Sequence, residues 1–176
     1  MSLRTIVVSV VLVMLVGGPA LAGDPNQVFR GKIMLSKKRF PLTAKSKNAY
    51  IAAVRKQSGS NFHENKEKGT WKIYFAAFLK KPLNDVEYVI KFYELGRGTQ
   101  QLLGAIEAFS DERGQKTIVS NITLEKKAFG VNKQLLMTIE NKGTVYASAR
   151  LKILGEGEHF TGKVDFSEDE ANGKGE

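Results

Sequence analysis

The side chains best suited to chemistry are few in this 176-residue chain: two histidines, no cysteine and eighteen Asp and Glu. His63-Glu64 opens like the H-E-x-x-H pair of a zinc protease, but Glu67 stands where the second imidazole belongs. That chemistry needs two imidazoles one turn apart on a rigid helix. Residues 58–70 (SGSNFHENKEKGT) instead read as a polar loop rich in Gly, Ser and Asn. His159 sits beside Glu156 and Glu158, with Asp165 further along the same expected strand. One imidazole with carboxylates can hold a divalent cation, but the plainer reading is an exposed hairpin, and no metal is assigned. Asp85 and Glu87 are paired acids at a strand start. Nothing in their spacing sets the separation that acid–base catalysis requires.

Nucleophile and phosphate motifs are missing too. The chain has no G-x-S-x-G and no P-loop, and Gly96-Arg97-Gly98 lacks the third glycine and the following helix of a dinucleotide site. The absence of cysteine excludes disulfides, thiolate metal sites, cysteine nucleophiles and a lipid-modified N-terminal cysteine. The expectation is a non-enzymatic protein with no catalytic residue and no cofactor. A hydrolase would need a cleft gathering at least two of His63, His159, Asp85, Glu87 and Glu107.

Charge is the stronger signal. The net charge is +9, but it is unevenly spread. Residues 30–81 hold fourteen Lys and Arg against two Glu, a net +12; residues 155–176 hold two Lys against seven Asp and Glu, a net −5. Such asymmetry points to an anionic partner, or to two parts of the chain neutralising each other. The candidate contacts are Lys37, Lys38, Arg39, Lys45, Lys47, Arg55, Lys56, Lys80 and Lys81, with Phe40, Tyr50 and Phe62 interleaved. If these share one end of the fold, they suit lipopolysaccharide, an anionic polysaccharide or an acidic protein. A solvated surface that aids solubility is the competing reading. Nucleic acid ranks low, since no recognition motif is present.

The elements that must position these residues follow from hydrophobic rhythm. Residues 71–95 read as two strands and a turn, a central hairpin: Trp71, Ile73, Phe75, Ala77 and Leu79 share one face, as do Val86, Tyr88, Ile90 and Phe92. Tyr74, Phe78, Val89 and Tyr93 on the other faces suit central strands. Further strands are expected at 28–35, 101–109, 116–125, 134–140, 144–154 and 159–166. In 144–154, Val145, Ala147, Ala149, Leu151 and Ile153 are expected inward and Tyr146 outward. Phe129 is expected tucked under a corner at 127–132. Residues 23–27 (GDPNQ) read as a flexible start. Residues 43–57 form the one convincing helix, capped by Ser46, with Tyr50, Ile51 and Val54 as its apolar stripe.

Residues 1–22 read as a cleavable signal peptide. Arg4 precedes a short apolar run at 6–16, then Gly17, Gly18 and Pro19, then an A-x-A site at Ala20, Leu21 and Ala22. The run is too short for a bilayer, which needs about 20 residues. No transmembrane segment is expected after cleavage. Residues 23–166 then form one domain, and 167–176 (SEDEANGKGE) a disordered acidic tail.

Short strands with turns between them and no helix separating them favour a mainly β, antiparallel two-layer sandwich of about eight strands. Its general look resembles immunoglobulin-like sandwiches, at the level of fold only, because the Cys–Trp–Cys spacing is missing. A closed eight-stranded barrel is the alternative. The functional expectation is an exported, periplasmic or secreted, non-catalytic protein that binds or scaffolds at a bacterial envelope. The alternative is a carrier of small apolar ligands in a barrel cavity.

Overall fold

A computed structural model describes residues 23–96 and 100–155. The expected signal peptide, the strand at 159–166 with His159 and Asp165, the acidic tail and most of the Gly96-Arg97-Gly98 turn lie outside the described residues.

The chain runs α1 (Pro25–Val28), β1 (Lys32–Ser36), α2 (Lys47–Gln57), β2 (Asn61–His63), β3 (Thr70–Leu83), β4 (Glu87–Glu94), β5 (Gln101–Phe109), β6 (Gln115–Glu125), α3 (Lys126–Phe129), β7 (Lys133–Asn141) and β8 (Thr144–Leu154). The eight strands make one mixed sheet in the order β5-β4-β7-β8-β1-β3-β6, with β2 also on β8. The sheet curls into a half-barrel. One contiguous apolar core fills the curl, with Trp71, Ile73, Phe75, Phe92, Leu135, Met137, Ile139 and Leu151 among its buried members. Alternation of side chains along each strand delivers these residues to a single side. Trp71 also satisfies its ring N–H, which donates to the Leu154 carbonyl at 2.8 Å.

The two strands of 71–95 form as expected, but not as a hairpin. β3 lies between β1 and β6, whereas β4 lies between β5 and β7. Leu83 to Glu87 therefore carries the chain across the curl rather than back along the same edge. The ladder of β3 is also irregular at its far end, where register shifts between Phe78 and Leu83.

Three local expectations are corrected. Residues 23–29 do not run into a strand: the Asp24 side chain accepts from the Asn26 N–H at 3.1 Å, Pro25 opens a helical turn, and Gly31 at φ 75° redirects the chain before β1. The 58–70 segment contains a strand, β2, which pairs with β8. In β8, a register shift opposite Ile139 and Glu140 inserts one extra residue. The bulge buries Tyr146 and leaves Val145 exposed, reversing the expected pattern.

The sheet is not wholly antiparallel. β1 and β2 both run parallel to β8, pairing with it at Ser148 and at Lys152 to Leu154 respectively. They read as two pieces of one interrupted strand. Between them, residues 37–60 leave the sheet, form α2, and return. α2 starts at Lys47, four residues later than the sequence rhythm suggested, because Ser46 caps it by accepting from the Ala49 N–H at 3.1 Å. Its Ile51 and Val54 pack with Phe29, Phe40, Ala76 and Phe78 in a second, smaller core on the outer face of β1 and β3.

A candidate anion-binding groove

The excursion at residues 37–60 leaves a groove of about 500 Å3 where β1 ends and β2 begins. Ser36, Lys37 and Lys38 line one side, Ala53, Lys56 and Gln57 of α2 another, and Gly59, Asn61 and Phe62 the third. Its wall is mostly apolar. Lysine stems can lie along such a surface while the ammonium stays in water.

The groove is held by hydrogen bonds between its walls. The Gln57 side-chain amide donates to the carbonyls of Lys38 and Arg39, each at 2.7 Å. The Lys38 N–H donates to Ser36 Oγ at 3.0 Å, and the Gly59 N–H to the Leu35 carbonyl at 2.8 Å. The end of α2 is closed by Ser58, whose hydroxyl donates to the Val54 carbonyl at 2.6 Å. A helix C-terminus carries partial negative charge, which favours Arg55 and Lys56 in its last turn.

The nine candidate residues divide. Lys37, Lys38 and Lys56 converge on the groove and are exposed. Arg39 lines a neighbouring groove with Phe40, Leu42, Tyr74 and Asn121. The Arg55 guanidinium stands 5.8 Å from the Phe29 ring, a contact that serves the smaller core. Lys45 and Lys47 flank the cap at the opposite end of α2. Lys80 and Lys81 do not share this end at all: Ser36 pairs with Tyr74 and Lys32 with Phe78, so they lie on the order of 20 Å further along the ladder. There Lys80 covers Gly31, and Lys81 sits 5.1 Å from the Tyr146 ring.

Among the described residues, no carboxylate pairs with Lys37, Lys38 or Lys56. Glu64 takes Lys126 at 3.0 Å. The groove thus gathers positive charge that no carboxylate among the described residues pairs with, beside apolar surface.

The acids and imidazole proposed for a hydrolase line no part of this groove. His63 is exposed opposite Leu154. Asp85 lies at the β3–β4 crossing, where Lys142 at 3.2 Å and the Val86 N–H hold its carboxyl below the usual range. Glu87 and Glu107 are exposed on adjacent strands, paired with Phe109 and Val89. Among the described residues, no three His, Cys, Asp or Glu side chains group as metal ligands. Sequence reasoning missed Ser36, Gln57, Gly59 and Asn61, which shape the groove; only the interruption of one strand by a helix brings them together.

No protein-family model matches the chain, and no curated protein matches its sequence.

Proposed function

We propose that this is an exported, non-catalytic binding protein of the bacterial envelope whose groove takes an anion carrying an apolar portion. The observation that carries this reading is the convergence of Lys37, Lys38 and Lys56, which pair with no carboxylate among the described residues, on one mostly apolar groove. Three cations alone would suit any polyanion. The apolar wall favours an acyl chain with an acidic head, as in lipopolysaccharide, over a polysaccharide. Export rests on the ordered n-region, apolar run and A-x-A site of residues 1–22. We read the scaffold as a sheet folded over itself into a two-layer sandwich, with a closed barrel as the alternative. The filled inner core is compatible with either.

The test is retention on lipopolysaccharide at low and moderate salt. Reversing Lys37, Lys38 and Lys56 to Glu is expected to weaken retention at least tenfold, while reversing Lys80 and Lys81 leaves it near the parent. Exposed charges are screened over about 8–10 Å at physiological salt, so the difference should shrink as salt rises. Equal retention of all three proteins would overturn the reading.

A further inference from the structure

A second groove lies across residues 36–42 from the first. Ser36, Lys37 and Lys38 line the apolar groove, whereas Arg39, Phe40 and Leu42 line one of about 330 Å3 whose wall is mostly polar. That volume falls within the range of small-ligand clefts. The Gln57 amide fixes the chain where it divides the two, through the carbonyls of Lys38 and Arg39. The far wall belongs to β3 and β6. Tyr74 pairs with Asn121 and Ala76 with Val119, so all four stand on the outer face of the sheet. Directly paired residues bring their Cβ atoms to about 4.5–5.5 Å, which sets the Asn121 side chain beside that of Tyr74. The Lys72 ammonium stands 5.3 Å from the centre of the Tyr74 ring and adds a second cation next to Arg39.

We propose that this polar groove binds an acidic sugar, a saccharide ring that carries a phosphate or a carboxylate. Three side-chain types select that class. The Arg39 guanidinium is a planar fork that meets either acidic group in two parallel hydrogen bonds. The Asn121 amide both donates and accepts, and a sugar hydroxyl does the same. Tyr74, Val119 and Leu42 offer apolar surface to the C–H face of the ring, and Leu42 is 75% exposed although it lines the groove. A bare anion leaves Tyr74 and Asn121 unused. An acyl chain strips water from Arg39 and Asn121 and returns no hydrogen bond, which is costly. Under the function proposed above, one ligand with an acyl chain and an acidic sugar lies across residues 36–42 and fills both grooves. That spanning step rests on the earlier reading; the sugar site does not.

The experiment uses the processed chain, residues 23–176, and three probes: glucose 6-phosphate, glucuronate and inorganic phosphate. Amide chemical shifts locate each probe by nuclear magnetic resonance. Glucose 6-phosphate or glucuronate is expected to move the Asn121 side-chain amide and the backbone N–H groups of Val119 to Asn121; the tighter of the two names the acidic group. No such movement with either sugar overturns the site. Inorganic phosphate is expected to bind more weakly by about fivefold or more, the worth of one hydrogen bond. Phosphate that binds as tightly as glucose 6-phosphate means that the ring adds nothing, and overturns the site as one for sugars. Arg39→Gln and Asn121→Ala should each weaken the sugar by a similar factor, while reversing Lys37, Lys38 and Lys56 leaves it within about twofold. Both side chains are exposed, so neither change disturbs the core, and unchanged affinity in both variants overturns the assignment. Sugar binding without retention on lipopolysaccharide sinks the envelope reading and leaves this site standing. Retention that needs Lys37, Lys38 and Lys56, without sugar binding, sinks this inference and leaves that reading standing. Retention that Asn121→Ala leaves unchanged overturns the spanning step alone.

Discussion

β3 is buried on both faces through its middle, yet the two faces are built differently. Inward, Trp71, Ile73, Phe75, Ala77 and Leu79 join a core to which the whole curled sheet contributes. Outward, Ala76 and Phe78 are covered by the α2 excursion and the α1 turn. The inner core is supported by long-range strand pairing on every side. The outer core depends on one helix of eleven residues, too short to hold its shape without packing. The lesson is a division of labour: the inner face sets the fold, and the outer face sets the groove. Phe75→Ala tests the first half. Its side chain is 1% exposed at the centre of the inner core, so truncation should cost about 3–5 kcal/mol in denaturant unfolding. A cost below about 1 kcal/mol would mean that the inner core is not the main source of stability.

Val54→Ala tests the second half. Val54 is fully buried in the outer core, one turn before the Ser58 that closes α2. Removing two methyl groups at about 0.8 kcal/mol each, with a small cavity, should cost about 2 kcal/mol. The distinguishing readout is binding. Under conditions where the variant stays folded, retention on lipopolysaccharide should fall several-fold, because Lys56 and Gln57 lose their fixed place. A folded variant with unchanged retention would separate the groove from the outer core and break the comparison.

How far the sequence announced this arrangement depends on the range of the contacts involved. Alternation along 71–79, 116–125 and 134–140 marks the inner face correctly, because side-chain direction is a local property of a strand. Ser46 as a cap, Ile51 and Val54 as the buried stripe of α2, and Phe129 beneath a corner are equally local, and all three are found. Pairing partners are not local. The strands expected at 71–80 and 86–95 look like a hairpin because the five residues between them, 81–85 (KPLND), read as a turn, yet each finds other neighbours. Tyr146 is misplaced by a bulge that one strand alone cannot reveal. The basic candidates were gathered by proximity in sequence, and the ladder register then split Lys80 and Lys81 from Lys37 and Lys38. The groove itself arises from an interrupted strand, β1 then β2, whose halves are joined only through their common neighbour β8.

The outer face has a second half, on β4 and β7, which handles burial without a helix. There Glu140 is only 6% exposed. It accepts from Lys91 Nζ at 2.7 Å, from Thr138 Oγ1 at 2.8 Å and from the Tyr93 hydroxyl at 3.2 Å. Burial pushes its carboxyl up, but these donors outweigh burial and hold it below the usual carboxylate range. This charge is fully partnered, whereas Lys37, Lys38 and Lys56 pair with no carboxylate among the described residues, and its role is structural. Glu140→Gln keeps the shape and removes the charge, so it should cost about 1.5 kcal/mol at neutral pH, at the low end for hydrogen bonds to a charged group. The sign of the pH dependence follows from the lowered value. The contribution is complete above the ordinary carboxylate range and fades as pH falls through the folded-state value, where the native carboxyl takes up a proton. Parent and variant stabilities should therefore converge in acid. A gap that stays constant from neutral to acid pH would show that the charge of Glu140 does not stabilise the fold, and the contrast between this buried carboxylate and the exposed lysines of the groove would lose its stabilising half.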